Sequence, residues 1–282
     1  MHDASWAPMA GADVSGGVFP DGGLRLFGLI GDPVAQVRAC QPATERMQAA
    51  GVNAALLPVH VPAAHLPDIF RSLRLVGNFD GMVVTVPHKI PMAGLVDTLS
   101  DRARLVGAVN LARREADGRW HGDIVDGVGF RRGLDVTEFD PAGKTAFVVG
   151  SGGAGSAVAV ELARSGAALR IFDVSVDRAA ALAQRLREAG HDAVAVPSPD
   201  PAGADLVVNA TPLGMHPGDP MPLDPALLSP AMTVAEVVMK PPVTPFLQAA
   251  RDRGCRTQLG EAVMLYQLDA MVAFLLGAAR PA

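Results

Sequence analysis

Phe147-Val148-Val149-Gly150-Ser151-Gly152-Gly153-Ala154-Gly155 carries the first reading of the fold. An apolar run passes straight into a G-x-G-x-x-G turn, and helix-forming sequence follows. In such a unit Gly150 permits the tight turn and Gly152 lets the backbone approach a pyrophosphate, while Gly155 lets the helix pack on its strand. The first helical amides, around Gly153 and Ala154, favour phosphate together with the helix dipole. The next apolar run, 169–174, contains Asp173 about 20 residues beyond the turn. A carboxylate there accepts from a ribose 2′-hydroxyl and repels a 2′-phosphate, so NAD is expected in preference to NADP. Arg178 follows closely and offsets part of that preference. The competing reading, a purely structural glycine turn, leaves the acid and the helix start without a common purpose.

Outward from the turn, the chain alternates short apolar runs with helix-length segments, the pattern of an α/β protein rich in parallel strands. On the C-terminal side, strands are expected at 145–149, 169–174, 193–196, 206–209 and 233–238. Helices are expected at 153–165 and 177–189, and loops at 197–203 and 212–225. On the N-terminal side, strands are expected at 25–30, 56–61 and 81–86, with helices at 42–50, 63–75, 88–97 and 101–106. The runs 108–113 and 119–124 flank Asp117-Gly118, a hairpin signal. The expected organisation is an N-terminal extension (1–23), an N-terminal α/β substrate domain (24–125) and a Rossmann-type, doubly wound parallel-sheet domain (126–255). A last helix within 256–282 is expected to pack back on the first domain.

Composition narrows the function. Hydrophobic residues make up 49% of the 282-residue chain and charged residues 19%, enough for two cores. A formal charge of −5 without a basic run speaks against nucleic acid and anionic membranes as partners. Cys40 and Cys255 stand alone, which disfavours a disulfide framework or zinc site and suits a reducing cytoplasm. Residues 1–23 are rich in Gly, Ala, Ser and Asp and read as a flexible extension, lacking the basic and apolar regions of a signal peptide. The apolar stretch 262–277 contains Gln267 and Asp269 and is short for a membrane span, so it reads as a buried helix.

Several further segments share an order and spacing with the glycine turn. They are Gly81-Met82-Val83-Val84-Thr85-Val86-Pro87-His88-Lys89, Gly107-Ala108-Val109-Asn110 and Gly122-Asp123-Ile124-Val125-Asp126-Gly127. Asn209-Ala210-Thr211-Pro212-Leu213-Gly214-Met215, Lys240-Pro241-Pro242-Val243-Thr244-Pro245-Phe246 and Gly260-Glu261-Ala262-Val263-Met264-Leu265-Tyr266-Gln267 complete the set. As a set they resemble the shikimate dehydrogenase family, from about Leu26 to the last helix. The resemblance implies that Lys89 and Asp126 form the catalytic pair. It also implies that Thr85, Asn110 and Gln267 bind substrate hydroxyls, and that Asn209, Thr211 and Met215 line the nicotinamide end of the cleft. Elementary chemistry is consistent with the pair: hydride removal from a secondary alcohol requires loss of the hydroxyl proton, which a positioned amine can take. Taken singly, Lys89 reads as a solvated lysine at a helix start and Asp126 as a helix cap. A strand-end turn before Pro212 competes as the reading of Asn209 and Thr211, and His88 either faces the cleft or caps a helix.

The departures from that family cluster in one region. Val37 and Ala39 stand where the family has a serine pair that grips the substrate carboxylate, and Val83 stands where it has asparagine. Ile124-Val125 replaces Asn-Thr, and Met239 replaces a tyrosine. Each change exchanges a polar group for an apolar one, which a site built for a polyhydroxylated acid tolerates poorly. The expected activity is therefore hydride transfer between NAD(P) and the secondary alcohol of a cyclic hydroxy acid related to shikimate or quinate, but not shikimate itself. Gln36 and Arg38 are candidates to hold the carboxylate in place of the serines, arginine by its two-point fork. The alternative is a NAD-binding sensor without catalysis. No metal is expected, and a homodimer is left open.

Overall fold

The computed structural model describes residues 21–277, so most of the extension expected at 1–23 lies outside the described residues. Two six-stranded sheets form two α/β domains. In the first, β1 (Arg25–Gly31) leads through α1 (Cys40–Ala49) to β2 (Ala54–His60). A short 3-10 turn and α2 (Leu66–Leu73) precede β3 (Phe79–Val84). There follow α3 (Lys89–Ala93), β4 (Thr98–Leu99), α4 (Asp101–Val106), β5 (Leu111–Arg114) and β6 (Trp120–Asp123). The sheet order is β2-β1-β3-β5-β6-β4, parallel at β2-β1-β3 and antiparallel across β3-β5-β6. Gly118, with φ 84°, makes the turn of the expected hairpin.

The chain then enters α5 (Asp126–Val136) and the second sheet: β7 (Thr145–Val149), α6 (Gly153–Arg164), β8 (Ala168–Phe172), α7 (Val176–Glu188) and β9 (Ala193–Ala195). β10 (Leu206–Asn209), β11 (Thr233–Glu236), α8 (Pro245–Asp252), β12 (Arg256–Gln258) and α9 (Glu261–Leu276) follow. Its strands run β12-β11-β10-β7-β8-β9, all parallel. This is the doubly wound order that reverses between the first and fourth strands, and the crevice at that reversal is where such sheets bind nucleotides. β7 is nearly all buried, which explains its unbroken apolar run.

Three local differences have plain causes. The helix expected over 88–97 stops at Ala93, where Gly94 caps it. The helix expected at 63–75 opens as a 3-10 turn before α2. β12 lies just past residue 255, within the stretch assigned to the returning helix; three residues pair with the open edge of β11 without an apolar run of their own.

The last helix packs against the first sheet. α9 buries Leu268, Met271, Val272 and Leu275 in one cluster with Phe27, Leu29, Met47 and Leu111. Each fully buried side chain of this kind contributes about 1.5–3 kcal/mol. Among the described residues no helix is long and apolar enough to cross a membrane.

α5 sits between the two domains because of its glycines. A Cβ on Gly127 would lie 2.2 Å from the carbonyl oxygen of Ala157 in α6. One on Gly129 would lie 2.2 Å from that of Val263 in α9. Backbones meet there at distances that exclude even a methyl group.

Candidate active site

Lys89 is the first residue of α3, a position where the helix dipole disfavours a cation. The answering charge comes from Asp126, the first residue of α5, whose own helix start favours an anion. Lys89 Nζ donates a short hydrogen bond to Asp126 Oδ2. The other oxygen, Oδ1, accepts from Asn110 Nδ2 at 2.8 Å, and Asn110 Oδ1 accepts from the Val125 amide at 3.0 Å. Asp126 is 7% exposed and Asn110 4%, so the pair is shielded while retaining an opening at Lys89, whose side chain is 21% exposed. The structure thus brings Lys89, Asp126 and Asn110 together. Asn110 orients the carboxylate.

Thr85 ends the strand region just before this cluster, and its methyl crowds Gly31 at the end of β1. Its amide donates to the Ile30 carbonyl and its carbonyl accepts from the His88 amide. His88 is 1% exposed, and its Nε2 lies 2.7 Å from the Val61 carbonyl; it fastens the two connections together and does not face the cleft. Gln267 is half-buried on α9, with its backbone against Gly129 of α5.

The loop from β1 to α1 holds the other substrate candidates. Gln36 donates to the Pro33 carbonyl, and Arg38 to the carbonyls of Ala35 and Val37. Both are exposed and spend these donors on their own loop. Val37 and Ala39 turn onto the apolar cluster of Leu29 and Leu111. Asp32 accepts from His60 and from the Ala63 amide; the His60 hydrogen bond holds its carboxyl below the usual carboxylate range against some desolvation.

At the second site, Gly150 has φ 98°, and a Cβ there would meet Ala210 and Thr211 at 3.0 Å. A Cβ on Gly155 would lie 2.1 Å from the Gly150 carbonyl oxygen. No side chain caps α6, and no atom lies within 4 Å of a Cβ placed on Gly152 or Gly153. An uncapped helix start behind an open glycine cradle, with Ala154 in its first turn, fits the pyrophosphate of a dinucleotide.

Asp173 follows β8 beside this cradle. Its Oδ2 accepts from the Ser151 amide (2.7 Å) and hydroxyl (2.8 Å), and its Oδ1 from the Ser175 amide (2.8 Å) and Arg178 (2.8 Å). Burial opposes its charge, but Arg178, the two amides and the Ser151 hydroxyl outweigh burial and hold its pKa at about 2. A depressed acid stabilises the fold above its unfolded pKa, near 4, and that contribution is lost as pH falls towards 2. Asp173→Asn should therefore lower unfolding free energy by about 2 kcal/mol at pH 7, with the gap to wild type closing between pH 4 and 2. Denaturant unfolding over that range measures it, and a constant gap would contradict the assignment.

Asn209 is turned into the protein. It is fully buried; its Nδ2 donates to the Leu213 carbonyl (3.1 Å) and to Glu236 Oε1 (2.9 Å), and its Oδ1 accepts from the Thr211 amide (3.1 Å) and hydroxyl (2.6 Å). With its hydrogen-bonding capacity spent in the protein, Asn209 shapes the turn and offers no side chain to a cofactor. Thr211 completes that turn through its hydroxyl, which leaves its methyl against Gly150. Met215 is exposed and lines a depression of about 510 Å³ with His216, Pro241, Val243 and Thr244.

Sequence reasoning did not find Glu236, the residue behind this turn. It is fully buried and also accepts from Thr244; burial pushes its carboxyl pKa up, and the Asn209 and Thr244 hydrogen bonds pull the other way. The signal available was a lone acid ending the apolar strand Thr233-Val234-Ala235-Glu236, since a buried carboxylate requires partners.

Residues 29–112 match the profile described as shikimate dehydrogenase substrate binding domain. A shikimate dehydrogenase (NADP(+)) of Rubrobacter xylanophilus is 41% identical over 253 residues, covering 88% of this chain and 89% of that protein. The crystal structure of ligand-free 5-ketofructose reductase of Gluconobacter sp. is similar with a TM-score of 0.81 and 30% identity, covering 90% of this chain and 93% of that one. That of quinate dehydrogenase from Corynebacterium glutamicum in complex with NAD is similar with a TM-score of 0.80 and 30% identity, over 89% and 93%.

Proposed function

The chain belongs to the shikimate dehydrogenase family of NAD(P)-dependent oxidoreductases acting on a CH–OH group, and we propose that it uses NAD to oxidise a cyclic hydroxy acid other than shikimate. The observation that carries this reading is the hydrogen-bonded cluster Lys89–Asp126–Asn110, joined through α5 to the helix that the glycine turn opens. We assign the substrate domain to 24–125 and the cofactor domain to 126–258, which takes in β12, with α9 (Glu261–Leu276) returning to the first sheet.

The nicotinamide supplies the hydride acceptor when it is bound at the cradle. Lys89 Nζ, as the neutral amine, takes the hydroxyl proton as the alcohol is oxidised and becomes the ammonium that Asp126 holds; in the reverse direction that ammonium gives the proton to the carbonyl oxygen. Asp126 fixes the direction of that amine, and Asn110 fixes Asp126. Thr85, Asn110 and Gln267 supply the ring-hydroxyl contacts. Gly150, Gly152, Gly153, Ala154 and Gly155 hold the phosphates, with Thr211 and Met215 nearer the nicotinamide.

Substrate preference follows from the first loop. Val37 and Ala39 offer no hydroxyl to a carboxylate, so Arg38 and Gln36 would have to leave their loop carbonyls to hold one. Purified protein should turn over less hydroxylated cyclic hydroxy acids better than shikimate or quinate, with 5-ketofructose included as a neutral comparison. Val37→Ser with Ala39→Ser should raise kcat/KM for shikimate by on the order of tenfold or more. Efficient shikimate turnover by the unaltered protein would sink this reading.

NAD preference rests on Asp173. A ribose hydroxyl takes the place of the exposed Arg178 at Oδ1, whereas a 2′-phosphate meets an ionised carboxylate. Asp173→Asn removes the charge and frees Arg178, so the NAD-to-NADP ratio of kcat/KM should fall by about tenfold. A wild-type protein that favours NADP would refute the preference.

A further inference from the structure

We propose that Arg102 is a positioning residue that couples cofactor binding on α6 to the alignment of Asp126. Arg102, on α4 of the first domain, makes a forked contact with Asp123: Nη2 to Oδ2 at 2.5 Å and Nε to Oδ1 at 3.2 Å. Asp123 Oδ1 also accepts from the Ser100 hydroxyl (2.5 Å) and the Ile124 amide (2.7 Å), and the Asp123 carbonyl accepts from the Asn110 amide (3.0 Å). This segment leads directly into Asp126, with Ile124 and Val125 buried on the way. Whatever shifts Asp123 therefore shifts both Asp126 and the asparagine that orients it.

The third part of the fork points across to the other domain. Arg102 Nη1 lies 3.8 Å from Glu161 Oε2 on α6, an ion pair too long for a hydrogen bond. That Oε2 is buried and has no hydrogen-bond partner, an unfavourable state for a carboxylate. Glu161 also presses its Cβ towards Gly127, the neighbour of Asp126. A movement of the Glu161 carboxylate by about 1 Å towards Arg102 converts the long contact into a charge-assisted hydrogen bond. Because α6 is the helix whose start holds the pyrophosphate, a dinucleotide that tilts α6 about its contact with Gly127 completes the contact. The Arg102 fork then passes the shift to Asp123.

The coupling rests on the cofactor reading above and is tested with NADH alone, without any substrate. Amide hydrogen exchange is measured over residues 122–128 in the free and NADH-saturated full chain. In the wild type, NADH should slow exchange there by on the order of tenfold. Glu161→Gln keeps the size and the packing on Gly127 but removes the charge. It should bind NADH up to about tenfold more weakly, the reciprocal of that coupling, and at saturation lose most of that protection. Arg102→Lys, which keeps the charge but loses the fork, should do the same. With a substrate that turns over, both variants should lower kcat and leave the KM for the alcohol little changed. Equal protection in wild type and Glu161→Gln, with NADH bound to both, would overturn the coupling while leaving the cofactor reading intact. Failure of the wild type to bind NADH would overturn the cofactor reading and the coupling with it.

Discussion

Lys89→Ala should lower kcat by roughly a thousandfold, the range expected when a positioned acid or base is removed. The alanine variant loses the amine that the Asp126 carboxylate holds at the partly exposed side of the cluster. Affinity for the nicotinamide cofactor should stay close to wild type, because the cradle on α6 belongs to the other domain. KM for the alcohol should change much less than kcat, since the proton is transferred only in the reacting complex. Asp126→Asn is the partner experiment. It keeps the shape and the Asn110 neighbour but no longer holds the ammonium by charge, so a loss of about a hundredfold is expected. The two losses should not add in the double variant, because both residues act on one proton. Turnover by Lys89→Ala within a few-fold of wild type would remove the catalytic assignment altogether.

Gly129→Ala should be among the most damaging small changes to stability, costing about 3 kcal/mol and lowering Tm by roughly 10 °C. The new methyl would sit 2.2 Å from the Val263 carbonyl oxygen and 2.9 Å from Gln267 Cβ. No flexible side-chain end is available to move; two helix backbones must separate. That separation also carries Gln267 away from the substrate contacts assigned to it, so KM should rise along with the loss of stability. Gly152→Ala is the contrasting case. Its φ of −68° suits alanine and nothing lies within 4 Å of the added carbon, so Tm should hold while cofactor affinity falls several-fold. Similar melting curves for Gly129→Ala and wild type would contradict the close approach of α5 and α9.

The division of legibility follows the distance over which each cause acts. The glycine turn, the strand before it and the helix after it are dictated within a few residues, and their order along the second sheet follows from alternation. Lys89 and Asp126 stand out only as members of a spaced set of motifs, because each alone is an ordinary residue at a helix start. Asn209 was ambiguous for a physical reason. Its partner, Glu236, becomes its neighbour only when β10 and β11 pair in register. Arg102 and Glu161 meet only after α4 and α6 pack, and neither carries a local signature. β12 is invisible for a different reason: Arg256-Thr257-Gln258 has no apolar pattern and owes its form to the edge of β11.

The return of α9 has a bearing on biosynthesis. The ribosome releases β1 to β6 first, and the cofactor domain afterwards, but the helix that covers Phe27, Leu29 and Leu111 is made after both. Until then the leading sheet carries an uncovered apolar face in the company of a domain already able to fold. Nascent chains stalled before residue 261 should accordingly recruit chaperones through the N-terminal sheet, and release of the last segment should end that recruitment.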